Sequence, residues 1–185
     1  MAFQTSIRAK MGAGLPGELA FEGPLRATPA MLDSTTPANN VFGRFFTDRG
    51  TVQADPAASS ISAQAGGTGA PIGFLANPKE HVLAESQGFN PTNALPNGAV
   101  ASFVSMGYLF ALLTNDRAAE PGDQVGYLTA TGELVSVAPG DPAPAGAVLI
   151  PTATVYRYRA DSDTENGSLA VIRVTDPNIQ IPTGA

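Results

Sequence analysis

The chain has no cysteine and no tryptophan, a single histidine, and only 14% charged residues among its 185. Without cysteine there is neither a disulfide nor a thiolate metal site. The one histidine, His81, has no second ligand or base partner near it in sequence, so its expected role is structural. Lys10 and Lys79 are the only amines left to activate a serine or threonine, and neither sits in such a setting. Twelve acids follow Gly50, but no two of them stand out as a hydrolytic pair. These absences leave no catalytic, cofactor-binding or metal-ligating set, and the expectation is a protein that is not an enzyme.

Basic residues are also scarce, ten against sixteen acids, for a net charge of −6. Residues 1–40 are neutral, since Arg8, Lys10 and Arg26 balance Glu18, Glu22 and Asp33, so the whole deficit falls on the remainder. An acidic body lacks the clustered cations that displace phosphate counterions, which argues against direct contact with nucleic acid. No apolar run is long enough to span a membrane, and the start, Met1-Ala2-Phe3-Gln4, opens no signal-peptide core.

What is present reads as strand. In residues 99–113, AVASFVSMGYLFALL, even positions run Val100, Val104, Met106, Tyr108, Phe110 and Leu112, broken by Ser102, while odd positions mix apolar residues with Ser105 and Gly107. That is a period of two whose even positions form the richer face, and it predicts two strands meeting at residues 106–108. The turn Pro121-Gly122-Asp123 reverses the chain before Val125 and Tyr127. Thr131-Gly132 closes a hairpin into Leu134, Val135 and Val137. A meander of this kind buries one face on something else, which implies a second sheet.

Further strands are predicted at 41–47 (VFGRFFT), 51–54, 72–76, 147–150, 154–159 and 168–175 (SLAVIRVT), the last apolar on both faces and therefore central. The Ala/Ser-rich residues 55–65 read as loop, as does the proline-rich APGDPAPAG at 138–146. GGTGAPIGF at 66–74 fails the dinucleotide spacing, because the third glycine position is Ile72 and Pro71 would sit in the helix start, and it reads as a tight loop feeding a buried strand. DSDTENG at 161–167 has its glycine one place late for a calcium loop, and Ile172 stands where a bidentate glutamate belongs, so it reads as a polar hairpin loop. Along 154–159, Thr154, Tyr156 and Tyr158 alternate with Val155, Arg157 and Arg159, and the two arginines either solubilise a sheet edge, the preferred reading, or meet a carboxylate on a partner.

Residues 1–40 combine Phe3, Ile7, Met11, Leu15, Leu19, Phe21, Leu25, Met31 and Leu32 with a density of glycine and proline that stops helix or strand from propagating. Such a segment either lies on its own domain or, as preferred here, forms an extended arm that docks on a partner. The expected organisation is an arm at 1–40 and an all-β domain at 41–185 with a short C-terminal tail.

Taken together, VFGRFFT, GGTGAPIGFLANPKEH, FVSMGYLFALL, PGDQVGYLTATGEL and SLAVIRVT, in that order, resemble the capsid cement (decoration) proteins of tailed bacteriophages. The resemblance implies a jelly-roll-like β-sandwich or barrel, without catalytic residues, on the outer surface of an icosahedral head. There it forms a homodimer, bridges neighbouring major capsid protein subunits and holds the shell against packaged DNA. On that reading Phe3, Ile7, Arg8, Lys10, Leu15, Phe21, Leu25 and Arg26 are the arm's capsid contacts, and Tyr156, Arg157, Tyr158 and Arg159 the dimer face. The alternatives are a tail-fibre or receptor-binding module, which would be trimeric, and a β-barrel hydrolase, which needs two carboxylates in one cleft.

Overall fold

The computed structural model describes residues 14–50, 61–77, 94–114, 118–158 and 168–175. Outside these lie Phe3, Ile7, Arg8, Lys10, Lys79, His81 and Arg159, the strand expected at 51–54 and the loop at 161–167.

Regular structure among the described residues is nine strands and one short 3-10 turn, Pro37–Asn39, so the all-β expectation holds. The strands are β1 (Arg26–Leu32), β2 (Phe45–Asp48), β3 (Ser62–Ala65), β4 (Pro71–Leu75), β5 (Val100–Leu113), β6 (Gln124–Leu128), β7 (Leu134–Val137), β8 (Ala147–Tyr158) and β9 (Ser168–Val174). Their spatial order is β1-β3-β2-β4-β5-β7-β6-β8-β9, with additional pairings of β5 to β1 and to β9. Those two pairings close the order into two rings, β1-β3-β2-β4-β5 and β5-β7-β6-β8-β9, which share β5. Closure removes the open edges that a free sheet of such strands would present.

The fourteen residues of β5 form one strand, not the two expected to meet at residues 106–108. The change at that point is one of partner: Met106 lies opposite Arg26 of β1, and Gly107 opposite Val174 of β9. The richer, even face is not the one that mainly enters the core. Ala101, Phe103, Leu109, Ala111 and Leu113 are buried, whereas Met106, Tyr108, Phe110 and Leu112 on the richer, even face are only partly covered. Val104 is the exception among the even positions: opposite Phe74 of β4 it is buried in the core, so β5 is covered on both faces there.

Each ring has its own core. One gathers Leu32, Phe46, Ala63, Leu75 and Phe103; the other gathers Leu109, Leu113, Tyr127, Leu134, Ile150 and Ile172. Burying each of the larger side chains contributes about 1.5–3 kcal/mol before ordering costs. Phe45 leads from the first ring into the second, its centroid 5.1 Å from Phe74 and 4.6 Å from Tyr127.

Besides β5, the rings are joined where the β6–β7 turn rests on β2 and the glycine loop after β3. Phe45 N–H donates to Gly132 O at 2.9 Å, Gly66 N–H to Phe45 O at 2.9 Å, and Gly67 N–H to Thr129 O at 2.7 Å. The approach requires glycine on both sides: a Cβ on Gly132 (φ +74) would lie 2.5 Å from Phe45 O, and one on Gly66 (φ +68) 2.5 Å from Thr129 O. Arg44 crosses the same junction, donating to Glu133 Oε1 at 2.6 Å, Asn39 Oδ1 at 2.8 Å and Thr131 O at 3.2 Å. Burial pulls its guanidinium below the ordinary value and Glu133 pushes back.

Other boundaries differ from expectation for identifiable reasons. Ser62–Ala65, inside the expected loop at 55–65, is β3, whose small side chains suit a strand held between β1 and β2. The predicted strands 147–150 and 154–159 are one strand, β8, which passes through Pro151 because its pairing with β6 shifts register between Ile150 and Thr154. The strand placed at 41–47 is β2, beginning at Phe45. β9 lies between β8 and β5, as its two apolar faces require. Residues 26–32, within the expected arm, form β1, which pairs with both β3 and β5, so that part of the segment is built into the first ring. Its alternation from Ala30 to Leu32 places Ala30 and Leu32 in the core despite Pro29.

Candidate adhesive face

The partly covered even face of β5 does not stand bare. Residues 17–20 run antiparallel beside it, with Gly17 N–H donating to Phe110 O at 2.8 Å, Phe110 N–H to Glu18 O at 2.8 Å and Ala20 N–H to Tyr108 O at 2.9 Å. Gly17 (φ +84) allows this clip to seat: a Cβ there would lie 2.7 Å from Leu75 O and 2.8 Å from Gly43 N. Asn77 N–H donates to Gly17 O at 2.8 Å from the other side. The clip's backbone is therefore held by its own molecule.

Its apolar side chains are only partly covered. Leu15 is 58% exposed, Leu19 48%, Phe21 40% and Leu25 50%. Leu19, Phe21, Pro24, Leu25, Gly107 and Tyr108 line a surface cleft of about 420 Å³, with Glu22 at its wall. Three rings meet at its side: Phe21 and Tyr108 at 5.7 Å, Tyr108 and Tyr156 at 5.1 Å, Phe21 and Tyr156 at 6.1 Å, all edge-to-face. The Arg157 guanidinium lies 5.1 Å from the Phe21 centroid and 5.5 Å from that of Tyr156.

The structure thus brings together residues that the sequence assigned to separate roles. Phe21, Leu25 and Arg26 were expected on the arm, Tyr156 and Arg157 on a dimer face, and around Phe21 they share one surface; Leu15, also expected on the arm, is exposed on the clip but does not line the cleft. Arg26 is exposed opposite Met106, and the backbone of Tyr158 lies opposite Ala170. Beyond Val155, β8 is paired with β9 alone among the described residues. Leu19, Tyr108 and Arg173 belong to the same surface and were not singled out beforehand. Arg173, opposite Tyr108 in the β5–β9 ladder, carried one available signal: a charge inside an otherwise apolar strand marks its outward positions.

Nothing in this face resembles a reaction centre. No group of three or more His, Cys, Asp or Glu with metal-binding geometry occurs among the described residues. What the face offers is apolar and aromatic area with guanidinium groups, the composition of contact surfaces between proteins.

Comparison with known proteins agrees with this character. The family described as structural cement protein (E217 gp24/Pam3 gp6) matches residues 3–175. A chain from the structure titled "The capsid of Myoviridae Phage XM1" superimposes with a TM-score of 0.64 at 13% identity, covering 95% of this chain and 99% of that one, and so shares its fold. No curated protein sequence matches. With nearly its full length matched by that family, the chain belongs to the phage structural cement proteins, a component of the virion that associates with capsid protein.

Proposed function

We propose that the protein attaches to the outer surface of an icosahedral phage head, bridges neighbouring major capsid protein subunits as a dimer, and reinforces the shell against the pressure of packaged DNA. It acts by adhesion, without catalysis, cofactor or direct contact with nucleic acid. The observation that carries this reading is the clip at residues 14–25: its backbone is hydrogen-bonded to β5 through residues 17–20, while Leu15, Leu19, Phe21 and Leu25 keep 40–58% of their surface exposed. Preordered anchors lose little entropy on docking, so more of their apolar transfer energy is retained as affinity. Phe3, Ile7, Arg8 and Lys10, outside the described residues, are assigned to the same arm as further capsid contacts. Repetition of the contact over many identical sites converts modest single affinities into durable attachment.

The test is attachment to phage shells assembled without the protein. The intact chain should coat them in a fixed ratio to the coat subunit and raise the temperature at which they rupture. Coating without any rise in rupture temperature would refute reinforcement, and a few copies confined to one vertex would refute bridging across the shell. Neither the family nor the structural neighbour points to a tail fibre.

A further inference from the structure

The described part of the chain has five cations, Arg26, Arg44, Arg49, Arg157 and Arg173. Two are consumed internally: Arg44 pairs with Glu133 at 2.6 Å and Arg49 with Asp33 at 2.7 Å. The other three make no ion pair among the described residues, and all three border the outer face of β5. Arg26 stands opposite Met106, Arg173 opposite Tyr108, and Arg157 over Phe21. Facing residues on antiparallel strands project to the same side, so Arg26 and Arg173 flank the partly covered even face. Against them the cleft wall carries one exposed acid, Glu22, while Glu18 of the clip is buried. A chain of net charge −6 therefore gathers its unpaired described cations around an apolar surface cleft.

We infer that this face receives an acidic segment of the capsid subunit, one that sets apolar side chains into the cleft beside Phe21 and Tyr108 and carboxylates against Arg26, Arg157 and Arg173. The inference rests on the shell-binding reading above and names the chemistry of the partner at that surface. A second copy of this chain is the competing occupant, and charge decides against it. A two-fold contact would bring the same patch against itself, guanidinium groups facing guanidinium groups, with Glu22 the only exposed acid that lines the described cleft to offset them. Pairing of copies is accordingly assigned to another part of the surface, and Tyr156 and Arg157 move from the dimer face to the capsid face. Arginine suits this use, since its planar fork binds carboxylates in a bidentate manner and stacks on aromatic rings, as Arg157 already does.

The experiment measures binding of the full chain to shells assembled without it, across salt from about 0.1 M to about 1 M, over which the screening length falls from about 10 Å to about 3 Å. Four proteins are compared: the natural chain, the triple variant Arg26→Gln, Arg157→Gln, Arg173→Gln, the corresponding triple Arg→Lys variant, and Leu19→Ser with Phe21→Ser. The natural chain should weaken by about tenfold or more across the series, as charge-steered interfaces do. The glutamine variant should bind weakly with little dependence on salt, and the lysine variant should recover the dependence. Matching melting temperatures confirm that the exposed substitutions leave the fold intact. A glutamine variant with an unchanged salt response overturns the acidic-partner inference alone. A serine variant that binds like the natural chain overturns the shell-binding reading of the face itself. If the glutamine variant instead changes the mass of the free protein in solution, the face is a contact between copies and the inference is wrong.

Discussion

The ring of Phe21, from the N-terminal clip, lies edge-on to that of Tyr156, from β8, at 6.1 Å, and the two are bridged by Tyr108 of the strand common to both rings. A segment that the sequence marked as foreign to the domain is thus attached to its most central strand. The same attachment leaves the segment's leucines uncovered.

Replacing Phe21 by alanine separates folding from adhesion. Because Phe21 is 40% exposed, the loss of stability should stay below about 2 kcal/mol, smaller than for a phenylalanine fully inside the core. Shell attachment should fall far more than stability does. Thermal denaturation of the free chain and a sedimentation assay with shells check the two halves separately.

At the junction between rings, Arg44→Ala removes donors to Glu133, Asn39 and Thr131 O. The pair is partly exposed, so screening limits its worth, and a loss of about 1–3 kcal/mol is expected from the broken network. Glu133→Gln keeps an acceptor for the guanidinium and should cost less. Denaturant melts of the two variants give the comparison, and an Arg44→Ala protein as stable as the natural one would show that the backbone bonds alone hold the junction.

Gly132→Ala is expected to be more harmful than its size suggests. The added methyl falls on Phe45 O and the backbone must keep a positive φ, a combination of clash and strain worth at least about 1–3 kcal/mol. Gly122→Ala, also at positive φ (+96) but with open space around it, isolates the strain from the clash and should cost less. Urea midpoints of the two proteins settle the order.

Alkaline pH should destabilise the fold through Tyr127. Its buried hydroxyl donates to Gly67 O at 3.1 Å, and burial raises its pKa above the ordinary value of 10.0. The folded chain therefore holds this proton more tightly than the unfolded one. The contribution is complete below pH about 10 and is lost as pH rises from there through the folded pKa, by up to about 1.4 kcal/mol per pH unit. Tyr127→Phe should lose about 1 kcal/mol at neutral pH, the worth of the hydrogen bond, and show a shallower decline above pH 10. Equilibrium unfolding followed across that range tests the sign.

The β class was legible because period-two patterning and turn residues act locally: Thr131-Gly132 marks the β6–β7 turn, and the apolar faces of SLAVIRVT mark a strand flanked on both sides. Which face of β5 is buried was not legible, because hydrophobicity alone cannot separate a core from a surface that another segment partly covers. Phe110 and Tyr108 are there for residues 14–25, a relation across some ninety positions that no local window contains. β1 was missed because Pro24 and Pro29 argue against a strand in isolation, whereas pairing with β3 and β5 supplies what propensity withholds. The residues of the proposed adhesive face were legible as types, apolar side chains and outward arginines, but their meeting at Phe21 depends on long-range pairing.

The most direct measurement is a reconstruction of the intact virion by electron cryomicroscopy, at a resolution that places side chains. The account requires the face formed by Leu19, Phe21, Tyr108 and Tyr156 to lie against the capsid subunit on the outside of the head. A particle in which that face looks into solvent, with the chain held to the shell by its opposite side, would contradict it.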